Sequence, residues 1–186
     1  MSQAAVLSLV DDALLVRDVT SDDAPALAEL LNAIIAAGGT TALEEAFTAQ
    51  ALDAAYLTGP NVHCCVVAVD RASGRLEGFQ TLGRMPGLAD DIGDIGTFAR
   101  IDGTQRGIGS ALFAATRARA TALGLRAINA TIRADNIGGL AFYAKRGFAD
   151  HGVTPAVPLK DGTPVDRLHK RFALHDLKTD DTHADD

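Results

Sequence analysis

Apolar positions along this chain recur with two periods, and the switches between them divide it into strands and helices. Leu14, Leu15, Val16 and Val19 make Ala13–Val19 a first strand. Thr20, Ser21, Asp22 and Asp23 supply helix-capping side chains, and Pro25 falls in the first helical turn, where a missing N–H costs nothing. Leu27, Leu30, Leu31, Ile34 and Ile35 keep helical spacing until Gly38-Gly39 ends the helix. A polar loop, Thr40–Ala46, leads to a second short helix, Thr48–Leu57, closed by Gly59-Pro60. Val62–Val69 reads as a strand, Asp70–Gly74 as a turn and Leu76–Leu82 as its antiparallel partner.

After a loop over Arg84–Asp91, a strand at Ile95–Ile101 precedes a glycine turn and a helix over Ala111–Leu123. Ala127–Ile132 is a strand with Ile128, Ala130 and Ile132 on one face, and Asn136–Lys145 is helical despite Gly138-Gly139. A strand begins at Phe148, a loop with three prolines spans Thr154–Pro164, and Arg167–Leu174 is the last strand. Helices interspersed with a largely antiparallel set of strands give an α/β (α+β) chain with a mixed sheet. We expect one domain over residues 13–175, preceded by an extension at 1–12 and followed by a tail at 176–186. Within it Lys178–Asp186 has four aspartates and no large apolar residue, so disorder is expected there.

The charge balance narrows the function. A net charge of −7 and a pI near 5.1 argue against a nucleic-acid partner, which calls for a basic face. Local basic charge sits in Arg117, Arg119, Arg126, Arg133, Lys145 and Arg146. No apolar run approaches the roughly 20 residues of a membrane helix. Met1–Asp12 lacks a basic leader, so a cytoplasmic location is expected. Cys64 and Cys65 are strand neighbours pointing to opposite faces, poorly placed to bridge each other, and they offer no zinc framework. His63 beside them reads as an ordinary strand residue, and no metal is expected.

Candidate chemistry begins at Gln105-Arg106-Gly107-Ile108-Gly109-Ser110, which runs from a strand into a helix. A helix N-terminus has unpaired N–H groups and partial positive charge, and glycine lets backbone approach an anion closely. A Rossmann fingerprint fails because Leu112 stands where a glycine or alanine is needed, and a Walker A loop fails because no lysine precedes Ser110. Alone, the turn is a generic strand-to-helix connection.

The order of elements, with Asn136-x6-Tyr143-x3-Gly147-Phe148 after the turn, resembles the GCN5-related N-acetyltransferase (GNAT) superfamily. Arg17 and Asp22-Asp23-Ala24 fit the same resemblance, and Asn32, Ile34 and Ile35 with the following threonine–glutamate loop are similar to phosphinothricin-type amino-acid acetyltransferases. The resemblance implies a mixed, mostly antiparallel sheet of about seven strands flanked by about four helices. It further implies that strands Asp94–Ile101 and Arg126–Ile132 run parallel and splay apart to admit acetyl-CoA. Main-chain groups near Ala99 and Ile101 would then pair with the pantetheine, and the amides of Arg106, Gly107, Ile108, Gly109 and Ser110 would hold the pyrophosphate. Asn136 would contact the pantetheine arm and Tyr143 would lie near the sulfur. The turn departs from the family pattern. Either Thr104 replaces its leading arginine or glutamine, or Arg106-Gly107 is the family's Arg-Gly in a shortened loop.

The implied activity is N-acetylation of a small amine or amino acid by direct attack. A protein or peptide acetyltransferase and a non-catalytic acyl-CoA-binding module are the alternatives. Amine acetylation needs a deprotonated nucleophile, a stabilised oxyanion and a proton for the departing thiolate. Tyr143 suits the last role, and a strand N–H near Ala99 the second. For the base, Glu44 and Glu45 follow the first helix, where family members build the acceptor pocket. Asp94 begins the central strand on the face opposite Ile95 and Thr97 and reads as a solvated carboxylate, and His151 is an outside candidate. A water relay would also serve. The late apolar strand and the proline loop would suit a homodimer contact.

Overall fold

The computed structural model describes residues 13–103 and 106–174. Strand β1 (Leu14–Asp18) is followed by helix α1 (Ala24–Ala37) and helix α2 (Ala49–Leu52), which widens into a π turn over Asp53–Leu57. Then come β2 (Val62–Asp70), β3 (Leu76–Gly83) and β4 (Ile92–Ala99), α3 (Ile108–Ala122), β5 (Ala127–Arg133), α4 (Ile137–Lys145), β6 (Ala149–Pro158) and β7 (Pro164–Ala173). They form one seven-stranded sheet in the order β1-β2-β3-β4-β5-β7-β6, flanked by helices on both faces. This is the fold the resemblance implied.

The unbroken apolar run of β2 reflects burial on both faces. Cys65 and Val67 join Phe79 against Leu27, Leu31 and Leu52 of α1 and α2. Val66 and Ala68, of opposite parity, pack on Ile108 and Leu112 of α3. Entry into α1 is fixed by Asp23, whose carboxylate accepts from the Thr20 N–H at 2.8 Å and pairs with both Arg17 guanidinium nitrogens at 2.8 and 2.7 Å. Arg17 holds that carboxyl below its ordinary range.

The sheet's one parallel pair creates the site. Ile92, Gly93 and Asp94 pair with Ala127, Ile128 and Asn129, and there the pairing stops. β4 continues along β3 to Ala99, while β5 continues along β7 to Arg133. The two strands therefore diverge from a shared base.

Three boundaries differ from the expectation. β4 ends at Ala99, leaving Ile101 in a turn and 64% exposed. α3 begins at Ile108 rather than Ala111, behind Gly107 at φ 84°. The proline-rich Thr154–Pro164 segment, expected as a loop, is mostly strand: β6 runs to Pro158 and β7 starts at Pro164. Proline survives there because β6 is an edge strand paired only with β7, so a lost N–H breaks no second ladder. A register shift between Thr154 and Val157 and Ala156 at φ 52° mark the same segment. Thr104, Gln105, the extension and the acidic tail lie outside the described residues.

Candidate active site

The divergence of β4 and β5 opens a cleft of about 740 Å³. Arg100 N–H donates to the Glu77 carbonyl at 2.9 Å, so in an antiparallel ladder Phe98 and Gly96 also turn their polar groups toward β3. Thr97 and Ala99 therefore present N–H and C=O to the open side, beyond the last residue paired with β5. This is an internal strand edge, suited to a ligand bearing amides along an extended chain. Ala99, Ile101, Asn136 and Tyr143 all line the cleft.

Its walls differ in character across the sheet. Ile95 and Tyr143 belong to the core under α3 and α4. Phe98, of the parity of Asp94, packs with α1. The gap passes through the sheet, so β4 residues of both parities line it.

Tyr143 is 7% exposed, with its ring edge-on to Phe142 and Phe148. Its hydroxyl lies 2.9 Å from Thr97 Oγ1, which accepts from Gln80 Nε2 at 2.8 Å. Burial raises the phenol above its ordinary range, offset in part by the Thr97 hydrogen bond. It remains a protonated donor at neutral pH.

Asp94 is not the solvated carboxylate the sequence indicated. Its side chain sits at the cleft's base, where burial pushes its pKa up to about 6 against the pull of the Asn129 hydrogen bond and the Arg171 charge. Asp94 does lie on the face opposite Ile95 and Thr97, but the gap is open to both faces. Glu44 and Glu45 are placed elsewhere. Glu44 accepts from the Lys160 N–H at 3.0 and 3.1 Å, and Glu45 pairs with Lys160 Nζ at 2.6 Å. Neither lines the cleft, and His151 lies on exposed β6.

Asn136 caps α4 through Oδ1, accepting from Gly139 N–H at 2.8 Å, and its Nδ2 donates to the Thr40 carbonyl at 2.8 Å. A Cβ at Gly139 would stand 2.5 Å from Asn136 Nδ2, which explains a glycine inside this helix. Arg133 Nη1 donates to the Thr41 carbonyl at 3.2 Å. The α1–α2 loop is thus strapped across one end of the cleft, with Ile34, Leu43, Tyr56, Arg84 and Met85 around it.

The glycine turn lies outside the cleft lining. Ala111 N–H makes the first bond of α3, to Gly107, leaving the N–H groups of Ile108, Gly109 and Ser110 without intrahelical partners. A Cβ on Gly109 would lie 2.5 Å from the Phe142 ring, so α3 and α4 meet only because that residue is glycine. Arg146 stacks on Phe142 at 3.8 Å and donates to Ser110 Oγ, setting a cation beside these amides. The other arginines of the expected basic cluster go elsewhere: Arg119 to Asp18, Arg126 to Asp91, Arg133 to Asp135 and Arg117 over Phe172. Cys64 is half-buried, its thiol pushed up to about 11, and Cys65 is buried. No metal-binding cluster of His, Cys, Asp or Glu occurs among the described residues, and no helix there is long and apolar enough to cross a membrane.

Residues 27–148 match the sequence model of the Acetyltransferase (GNAT) family. The chain belongs to the GNAT family. No curated relative matches the sequence. Among solved structures, yncA from Salmonella typhimurium with its cofactor acetyl-CoA is 17% identical, with a TM-score of 0.75 over 92% of this chain and 99% of that one. A phosphinothricin acetyltransferase from Sinorhizobium meliloti in complex with acetyl-CoA is 23% identical, with a TM-score of 0.75 over 87% and 88%. A GCN5-related N-acetyltransferase from Kribbella flavida is 24% identical, with a TM-score of 0.75 over 87% and 98%. These likenesses establish the fold. For this GNAT protein, membership brings acyl transfer as the class of chemistry.

Proposed function

We propose that this GNAT protein is an N-acetyltransferase that moves the acetyl group of acetyl-CoA to the amine of a small molecule or amino acid. The observation that carries the reading is the placement of two proton-handling groups on opposite sides of β4 in one cleft. Asp94 stands on the α1 side with its carboxyl near 6, and Tyr143 on the α3–α4 side as a protonated phenol.

The residues present fit the cofactor. Thr97 and Ala99 offer unpaired strand groups to pantetheine amides, and Asn136 borders the same gap. The amides of Ile108, Gly109 and Ser110, with Arg146 beside them, suit a pyrophosphate. Arg106 and Gly107 complete that turn. Bound there, acetyl-CoA supplies an activated acyl carbon and a thiolate leaving group.

Asp94 takes the proton from the incoming ammonium, freeing the amine lone pair, and is ionised above about pH 6. The Ala99 N–H points toward the gap and stabilises negative charge on the acyl oxygen. As the amine nitrogen bonds the acyl carbon and the carbon–sulfur bond breaks, Tyr143 would give its proton to the departing sulfur, and the second proton shed by the acetylated nitrogen would restore the phenol. When the Thr97 hydroxyl donates to the phenol oxygen, the phenol hydrogen is free for the cleft. Arg84, half exposed at the strapped end, already meets the exposed Asp90 at 3.2 Å, and a carboxylate on an amino-acid-like acceptor suits the same guanidinium. The strap itself disfavours a folded-protein acceptor. β6 is exposed along nearly its whole length, with Val153 at 55%, and supports a homodimer through the β6–β7 hairpin, which size-exclusion with light scattering would test.

The test is release of free thiol from acetyl-CoA against a panel of amino acids, polyamines and peptides. Amine-dependent release with at least one small amine is expected. Tight acetyl-CoA binding with no release from any amine would make the chain a binding module, and absence of binding would remove the basis of both readings.

A further inference from the structure

The polar residues of β5 and β7 form a connected line from the cleft to the outer hairpin. Ile128, Ala130 and Ile132 pack in the core, while Asn129 and Thr131 take the other face of β5, opposite Arg171 and His169 of β7. Asn129 is 2% exposed. Its Nδ2 donates to Asp94 Oδ1 at 2.6 Å and lies 3.2 Å from Thr131 Oγ1. Arg171 Nη2 approaches Asn129 Oδ1 at 3.4 Å. Thr131 Oγ1 is 3.2 Å from His169 Nδ1, and His169 Nε2 is 2.8 Å from Thr154 Oγ1 on β6.

These contacts fix directions as well as distances. A flipped Asn129 amide would set an oxygen against the Asp94 carboxylate and an NH₂ against the Arg171 guanidinium, so Nδ2 must face Asp94. Thr131 then accepts from Asn129, and its own hydrogen is left for His169 Nδ1. In the tautomer that accepts at Nδ1, His169 donates from Nε2 to Thr154 Oγ1. Asn129 Nδ2 is the branch point: one hydrogen goes to Asp94 Oδ1, and the other starts a run outward through Thr131 and His169 to Thr154. An amide buried in a strand of alanine and isoleucine contributes little to packing and costs desolvation unless bonded.

We propose that Asn129 is a positioning residue for acetyl transfer, holding one oxygen of Asp94 so that the other faces the acceptor amine, and that Thr131 and His169 hold Asn129 in turn. The proposal rests on Asp94 as the base. A neutral donor to the ionised carboxylate favours its charged form, as Arg171 does, while Tyr143 and Tyr56 are the other titratable groups that sense Asp94.

The test replaces Asn129 by leucine, similar in size but without a donor, and measures two things. One is the acid limb of kcat/KM. The other, independent of turnover, is the carboxylate midpoint of Asp94 followed by ¹³C NMR and assigned by its loss in Asp94→Asn. Both should rise by about one pH unit, with activity recovering at high pH and acetyl-CoA affinity unchanged. Thr131→Val and His169→Phe should move the midpoint the same way by less, and they carry the test should Asn129→Leu fail to fold. An unmoved midpoint with activity lost equally at every pH would overturn the proposal. A midpoint that moves while Asp94→Asn keeps full turnover would instead overturn the base reading beneath it.

Discussion

Replacing Asp94 by asparagine should damage activity and strengthen the fold together. Asp94 binds its proton more tightly in the folded chain, at about 6, than the ordinary 3.8 of an aspartate. Below both values the carboxyl is neutral in either state and costs nothing. As pH rises from about 4 through 6 the unfolded chain ionises first, so folding loses stability, and the loss is complete above 6. The separation of the two values corresponds to roughly 3 kcal/mol at full ionisation. Cleft water reduces this, so about 1–3 kcal/mol is expected from Asp94→Asn at pH 7.5. Asparagine keeps an oxygen for Asn129 Nδ2, so no buried donor is orphaned. For a chain of this size the gain appears as a rise in Tm of about 2–12 °C at pH 7.5, shrinking toward zero near pH 4. Turnover should fall by about 10²–10⁴-fold. Paired melts at the two pH values, with thiol-release kinetics on the same samples, measure both effects. A Tm that is unchanged or lower at pH 7.5, or full activity, would refute the assignment of Asp94 as a buried, working carboxylate.

Other outcomes follow from the same geometry. Tyr143→Phe should lower turnover by about 10²-fold or more while acetyl-CoA affinity stays nearly constant. Lost affinity at full turnover would sink its role as acid. Gly109→Val places a branched side chain where even a Cβ stands 2.5 Å from Phe142, so acetyl-CoA binding measured by calorimetry should weaken by about tenfold or more. Unaltered binding would put the pyrophosphate elsewhere. Glu44→Gln and Glu45→Gln should each change kcat by less than about threefold, since both carboxylates serve Lys160. A large fall in kcat with unchanged stability would return a proton-transfer role to that loop.

The parts of the site visible in sequence are those whose geometry is local. Asn136 caps its own helix through Gly139, and seven residues later Tyr143 falls on the face of α4 that meets β4. Their spacing therefore encodes the arrangement directly. The setting of Asp94 is not legible locally because it comes from afar: its Asn129 partner is 35 residues on, across the parallel pair. The fate of Glu44 is further removed still, since Lys160 lies 116 residues along the chain. Prolines in β6 signalled a loop because sequence does not show whether a strand is central or at an edge. Likewise the six basic residues look clustered along the chain, yet ion pairs draw Arg119, Arg126 and Arg133 away, while Arg146 stays by the glycine turn.

The central claim is that the gap between β4 and β5 delivers an acetyl thioester between Asp94 and Tyr143. A crystal structure with acetyl-CoA tests it most directly. Pantetheine should lie along Thr97 and Ala99, the sulfur within hydrogen-bonding reach of the Tyr143 hydroxyl, and the pyrophosphate on the Ile108–Ser110 amides. A thioester seated away from Tyr143, or a cofactor outside this gap, would contradict it.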